Sequence, residues 1–204
     1  KENNKYFPNS PYSASKAAAD LFIRAWNKTF NVKNLILHPS NNYGPRQFPE
    51  KLIPLMIING IHKKKMPIYG DGKHIREWIF VEDTVDAILM CLQKDNLEGH
   101  LNLGSGERYS NIDIVKKICV ILENIYNNNS FNYCNLISFT KDRPGHDKGY
   151  AVNSDLARKQ LNWSAKVGLE EGLLKTVKWY TSNTKWWKQI TKKIYDGKRL
   201  GLIK

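Results

Sequence analysis

Between Pro11 and about Asn31, apolar residues fall at Ala17, Ala18, Leu21, Phe22, Ala25 and Trp26. This is the three-and-four spacing of a helix face. No Gly or Pro interrupts the run from Pro11 to Pro39, so one long helix is predicted first. Asn34 to His38 is then a short apolar strand, stopped by Pro39. Glu50 to about Ile61 reads as a helix with Pro54 in its first turn, where a missing N–H costs least. Pro67–Tyr69 and Ile75–Val81 read as strands either side of an Asp71-Gly72 turn, the signature of a hairpin. Glu82 to Gln93 is amphipathic, with Val85, Ile88, Leu89 and Leu92 expected to face inward. Leu101–Leu103 is a strand ending at Gly104. Ser110 is placed to cap a helix reaching about Tyr126, with Asp113 at its third position. A strand at Leu136–Phe139 and helices at about Ser154–Leu161 and Leu169–Thr181 complete the pattern. Strands alternating with helices imply an α/β fold.

Composition adds bounds. A chain of 204 residues buries one sizeable core, with room for a smaller lobe. No apolar run has transmembrane length, and Lys1-Glu2-Asn3-Asn4-Lys5 is not a signal-peptide core, so no membrane partner is expected. Cys91, Cys119 and Cys134 form no C-x-x-C pair and lie on apolar stretches or near a strand. Such thiols suit a reducing cytoplasm. No metal is expected.

The formal charge of +13 raises nucleic-acid binding. Lys supplies most of the excess, whereas base readout leans on Arg. The lysines are scattered, with Lys63-Lys64-Lys65 the one tight run. No nucleic acid is therefore expected; a positive field also suits a small anionic substrate.

Tyr12 and Lys16 carry the first chemistry. Four apart in a helix, they share a face. A phenol is a poor base near neutrality, and an ammonium beside it favours the phenolate. The pair could accept a proton from a hydroxyl as hydride leaves the same carbon. Tyr and Lys at this spacing also occur as a core aromatic beside a solvated Lys.

Further strings narrow the field: Ser40-Asn41-Asn42-Tyr43-Gly44-Pro45, Phe48-Pro49-Glu50-Lys51-Leu52-Ile53-Pro54, Pro67-Ile68-Tyr69-Gly70-Asp71-Gly72, Ile75-Arg76-Glu77-Trp78, and Asp142-Arg143-Pro144-Gly145-His146-Asp147. With Tyr12 and Lys16 they make the chain resemble the extended short-chain dehydrogenase/reductases, and among them the dTDP-glucose 4,6-dehydratases. The resemblance runs from about Pro8 to Leu202. It implies the C-terminal part of a Rossmann-type parallel sheet plus a small mixed α/β substrate-binding lobe. Residues 1–45 would end an NAD-binding domain. Residues 46–204 would mainly bind the sugar nucleotide, with about 75–105 returning to the sheet. Gly70-Asp71-Gly72 and Gly104-Ser105-Gly106 read as turns, not as a dinucleotide fingerprint. The family's Gly-rich loop and Thr-Asp-Glu string are not found in these residues, so the 204-residue chain alone is expected to be an inactive portion.

The implied reaction oxidises a sugar C4 hydroxyl against NAD, eliminates water across C5 and C6, and returns hydride to C6. The resemblance makes Tyr12 the base and Lys16 its partner and ribose ligand, with Asn42 on the cofactor side. It places Asn41, Lys51, Leu52, Pro67, Ile68, Tyr69, Arg76, Asn111, Asp142, Arg143 and His146 on a dTDP-sugar, and it implies a homodimer. Plainer readings stand beside these. Tyr69 could be an ordinary strand aromatic, Arg76 an ion-pair partner of Glu77 or Glu82, and His146 a loop histidine held by backbone. Glu82-Asp83 reads as acids favoured by a helix dipole, not as a catalytic pair. A UDP-sugar dehydratase or epimerase, and a nucleotide-binding remnant without turnover, are the alternatives. Arg46 and Gln47 depart from many relatives.

Overall fold

The computed structural model describes residues 1–127, 131–142, 144–145 and 147–193. The first helix, α1 (Pro11–Phe30), starts where Ser10 Oγ accepts from the Ser13 N–H and Pro11 takes the first helical turn. It closes at Asn31 in a left-handed conformation. Two short strands follow, β1 (Leu35–Pro39) and β2 (Asn41–Tyr43). Then come α2 (Leu52–Ile61), β3 (Met66–Tyr69), β4 (Ile75–Phe80), α3 (Val81–Leu92), β5 (Gly99–Leu103), β6 (Arg108–Ser110) and α4 (Asn111–Tyr126). A short 3-10 turn at Tyr133–Leu136 leads to β7 (Ile137–Thr140) and β8 (Gly149–Tyr150). The last described elements are α5 (Asp155–Leu161), α6 (Leu169–Ser182) and α7 (Thr184–Lys193).

The α/β expectation holds. β1 pairs in parallel with β5, β2 with β4, β3 with β7 and β8 with β4, while β6 joins β4 antiparallel. The Asp71-Gly72 hairpin does not form. The chain does turn there, with Gly70 and Gly72 at φ +60° and +75°, but β3 pairs with β7 and β4 with β2, β6 and β8. Met66 and Ile68 are wholly buried in the core built on α2 and α4, and that burial outweighs the local turn.

Two apolar cores result. The larger joins Ile53, Met56 and Ile57 of α2, Ile114, Val115, Ile118 and Leu122 of α4, and Leu173, Val177 and Tyr180 of α6, closed by Trp187 of α7. The smaller joins Leu101 and Leu103 of β5 to Ala87 of α3 and to Ala157, Leu161 and Trp163 at α5. β4 serves both, because alternate residues of a strand face opposite ways. Trp78 and Phe80 enter the larger core and Ile79 the smaller.

The inward face expected for α3 is corrected. Asp83, Thr84 and Ala87 are its buried residues, while Val85, Ile88, Leu89 and Leu92 are exposed. The spacing identified an apolar stripe correctly, but periodicity cannot say which face the described elements cover. α1 is similar: none of its residues is buried, and Leu21, Phe22, Trp26 and Phe30 are all more than half exposed.

Candidate active site

Tyr12 sits in the first turn of α1, and the Lys16 ammonium lies 6.0 Å from the centre of its ring. Tyr12 is 72% exposed, so its phenol is open to a ligand. The two asparagines stand on β2, and each is held differently. Asn42 is pinned on three sides: Thr84 Oγ1 donates to its Oδ1 at 2.6 Å, its Nδ2 donates to the Ser40 carbonyl at 3.2 Å, and Gln47 Nε2 donates to its carbonyl at 2.8 Å. Asn41 accepts a hydrogen bond at Oδ1 from the Tyr150 hydroxyl.

Tyr150 belongs to none of the motif strings. It lies on a strand of two residues, too short to show a pattern. Its ring lies against the Arg76 guanidinium, 4.7 Å from the ring centre. Burial is the main cause pushing its phenol above the ordinary range; the Arg76 charge and the Asn41 bond oppose this, and Asp147 and Tyr12 add to it. Arg76 is itself 6% exposed and donates at 2.7 Å to the carbonyls of Ile75 and Asp147. Asn41, Tyr150 and Arg76 are thus brought into one linked group, with Tyr12 near enough to act on Tyr150 electrostatically. Asn9, just before α1, donates to Asp147 at 3.4 Å and ties that segment to the group.

Lys51 and Leu52 stand at the start of α2. Lys51 is the N-cap residue, makes no side-chain cap, and pairs with Glu50 at 3.3 Å. The first turn of α2 carries no acidic residue. Its N-terminal amides and the Lys51 charge therefore suit a phosphate. Pro67 and Tyr69 are half-buried on β3, whereas the Ile68 side chain is in the core and leaves only backbone for a ligand. Asp142 meets His74 Nε2 at 3.2 Å, and the Asn111 N–H donates to the His74 carbonyl at 3.1 Å, so both gather at one histidine. Arg143 and His146 lie outside the described residues.

Residues read as plain or divergent have clear roles. The Asp83 carboxylate accepts the N–H groups of Lys166 and Val167 at 3.0 and 3.1 Å, and its carbonyl accepts Trp163 Nε1 at 3.0 Å. It ties α3 to the segment after α5, as a structural acid. Arg46 takes a left-handed φ of +63° and lies 5.9 Å from the Trp179 ring centre.

Known proteins resemble the chain over this whole arrangement. A dTDP-glucose 4,6-dehydratase of Escherichia coli is 42% identical over 205 residues, covering 99% of this chain and 57% of its own. A probable dTDP-glucose 4,6-dehydratase of Sinorhizobium fredii is 44% identical over 202 residues, with the same coverage. The chain thus spans little more than half the length of these relatives. Among solved structures, dTDP-glucose 4,6-dehydratase from Bacillus anthracis in complex with NAD superposes with a TM-score of 0.83 at 38% identity, over 93% of this chain and 58% of that one. UDP-glucuronic acid 4-epimerase from Bacillus cereus, solved with UDP-glucuronic acid and NAD, gives 0.79 at 26% identity, over 89% of this chain and 56% of that one. The family model described as GDP-mannose 4,6 dehydratase matches residues 1–176, from ahead of the Tyr12 helix into α6. By that match, the chain belongs to the GDP-mannose 4,6 dehydratase family.

Proposed function

We propose that this chain is the substrate-binding and proton-transferring part of an NAD-dependent dTDP-glucose 4,6-dehydratase. The carrying observation is the site itself: the Tyr12–Lys16 pair, with Tyr12 in electrostatic reach of the Tyr150 that bonds Asn41 and lies against Arg76. The relatives at 42–44% identity support dTDP-glucose as the sugar nucleotide.

The residues fit the nicotinamide-ribose end of NAD. The Tyr12 phenol and Lys16 ammonium rise from one exposed face, and the Asn42 side chain is fixed nearby in sequence to the substrate asparagine. NAD, when bound, would supply the hydride acceptor and donor for the sugar. Tyr12 accepts the proton of the sugar hydroxyl, a role that needs its oxygen and no other atom. Lys16 supplies donors to the ribose hydroxyls and a positive charge beside the phenol. Asn41, fixed through Tyr150, orients the sugar. Arg76 and the α2 N-terminus with Lys51 offset the diphosphate charge. The cytoplasm is the setting proposed, in keeping with the free thiols of Cys91, Cys119 and Cys134. Among the described residues, no helix is long and apolar enough to cross a membrane.

The test is incubation of the full-length natural protein with NAD and either dTDP-glucose or UDP-glucose. A product lighter by one water, formed faster from dTDP-glucose, is expected. Water loss from neither substrate overturns the proposal, and an unchanged mass with inverted C4 favours an epimerase.

A homodimer is also proposed. Leu21, Phe22, Trp26 and Phe30 leave an apolar stripe on α1 that a second copy would cover. Light scattering of the full-length natural protein at micromolar concentration should give twice the monomer mass, and Trp26→Asp should shift it toward monomer. A wild-type monomer contradicts this.

A further inference from the structure

Away from the Tyr12 end of α1, three side chains from three elements converge between that helix and the β1–β5 strand pair. Asp20 comes from α1, His38 from β1 and His100 from β5. One donor atom from each lies within 4.8 Å of the other two. His38 Nε2 meets Asp20 Oδ2 at 2.8 Å, and the His38 and His100 rings stack with centres 5.3 Å apart. The strand register explains the meeting. Ile36 pairs with His100 and His38 with Asn102, so the two histidines are diagonal neighbours on one face.

We propose that Asp20, His38 and His100 form a divalent transition-metal site, best suited to Zn²⁺. Two imidazoles and one carboxylate are a borderline-soft donor set, and a water can complete the tetrahedron. Bond lengths of about 2.0–2.1 Å to zinc require donors roughly 3.3 Å apart. The Asp20–His38 pair is already closer than that, and the remaining gap is closed by side-chain rotation. Three further observations support a metal. His100 Nδ1 is buried and has no hydrogen-bond partner. The Tyr6 hydroxyl donates to Asp20 Oδ2 at 2.8 Å, the outer hydrogen bond that orients a ligating carboxylate. The three ligands are half-buried, shielded from bulk water yet reachable by an ion.

The site would act as a staple. α1 has no buried residue, and a metal bonded to Asp20 on one side and to β1 and β5 on the other would fix the helix that carries Tyr12 and Lys16. Metal ions compete with protons for imidazole nitrogens, so affinity should rise with pH.

The experiment uses the full-length natural protein, freed of any affinity tag and stripped with a chelator. After dialysis against Zn²⁺, metal analysis should find about one zinc per chain. Competition with a chromophoric chelator should show affinity lowered at least about a hundredfold by His38→Ala or His100→Ala, and about tenfold by Tyr6→Phe. His62→Ala, on the other lobe, should bind like wild type. No retained zinc, or equal affinity in wild type and the His38 and His100 variants, overturns the proposal. If the alanine variants lose their helical dichroism, the wild type alone carries the test: Zn²⁺ should slow amide hydrogen exchange in α1. Unchanged exchange at saturating zinc overturns the proposal.

Discussion

Tyr12→Phe in the full-length protein is expected to lower turnover of dTDP-glucose by about 10²–10⁴-fold, the span usual for a general acid–base group. Affinity for dTDP should change by no more than about threefold, since a bound nucleotide owes little to one hydroxyl made for proton transfer. The exposure and placement of the residue underlie this split. Its ring makes no part of either core, so removing one oxygen leaves packing intact. Product formation and calorimetric titration with dTDP, run side by side, separate the two effects. Full activity in the variant would remove Tyr12 from the chemistry. Equal loss of rate and of dTDP affinity would make it an anchor.

Glu77→Ala is expected to be the most damaging single change to stability. Glu77 is completely buried. Its Oε1 accepts the Gly106 N–H at 3.0 Å, its Oε2 accepts the Val152 N–H at 3.1 Å, and Arg108 Nε lies 4.0 Å away. Truncation leaves two backbone donors without their acceptor, each costing about 1–3 kcal/mol, for a loss on the order of 2–6 kcal/mol. In a domain of this size that lowers the melting temperature by roughly 4–24 °C. Gln should be milder, since it keeps one acceptor oxygen but turns an amide toward the other N–H. Thermal melts of the three proteins check the order wild type, Gln, Ala. A Glu77→Ala protein melting with the wild type would mean that water replaces the carboxylate. Gly104 belongs to the same arrangement: a Cβ there would stand 2.0 Å from Glu77 Oε1, so the carboxylate fits only beside a glycine.

What the sequence disclosed follows the range of the forces involved. The Ser110 cap was readable because its partner, the Asp113 N–H at 3.2 Å, is three residues away. The Pro11 start and the long first helix were readable for the same reason, whereas the Ser10 cap was not read. Strand partners were not. β3 pairs with β7 across some 70 residues, and a local Asp-Gly turn pointed to the wrong neighbour. The apolar stripe of α3 was visible, but which elements cover it is a tertiary matter. Motif strings singled out Asn41, Asn42 and Arg76, yet nothing in them showed that Tyr150 joins Asn41 to Arg76. Glu77 was read only as a possible partner of Arg76, because a sequence does not show which backbone amides a carboxylate will serve. The Asp20, His38 and His100 grouping was missed outright. Its members are far apart in the chain, and only the β1–β5 register and the path of α1 bring them together.

β4 has a consequence for cooperativity. A strand that sends Trp78 and Phe80 into one core and Ile79 into the other is a wall common to both. Loss of that strand strips buried side chains from both cores at once. The two lobes are therefore expected to unfold as one thermodynamic unit, with a single transition in a thermal melt. A ligand that binds against the larger core is then expected to protect the smaller one as well.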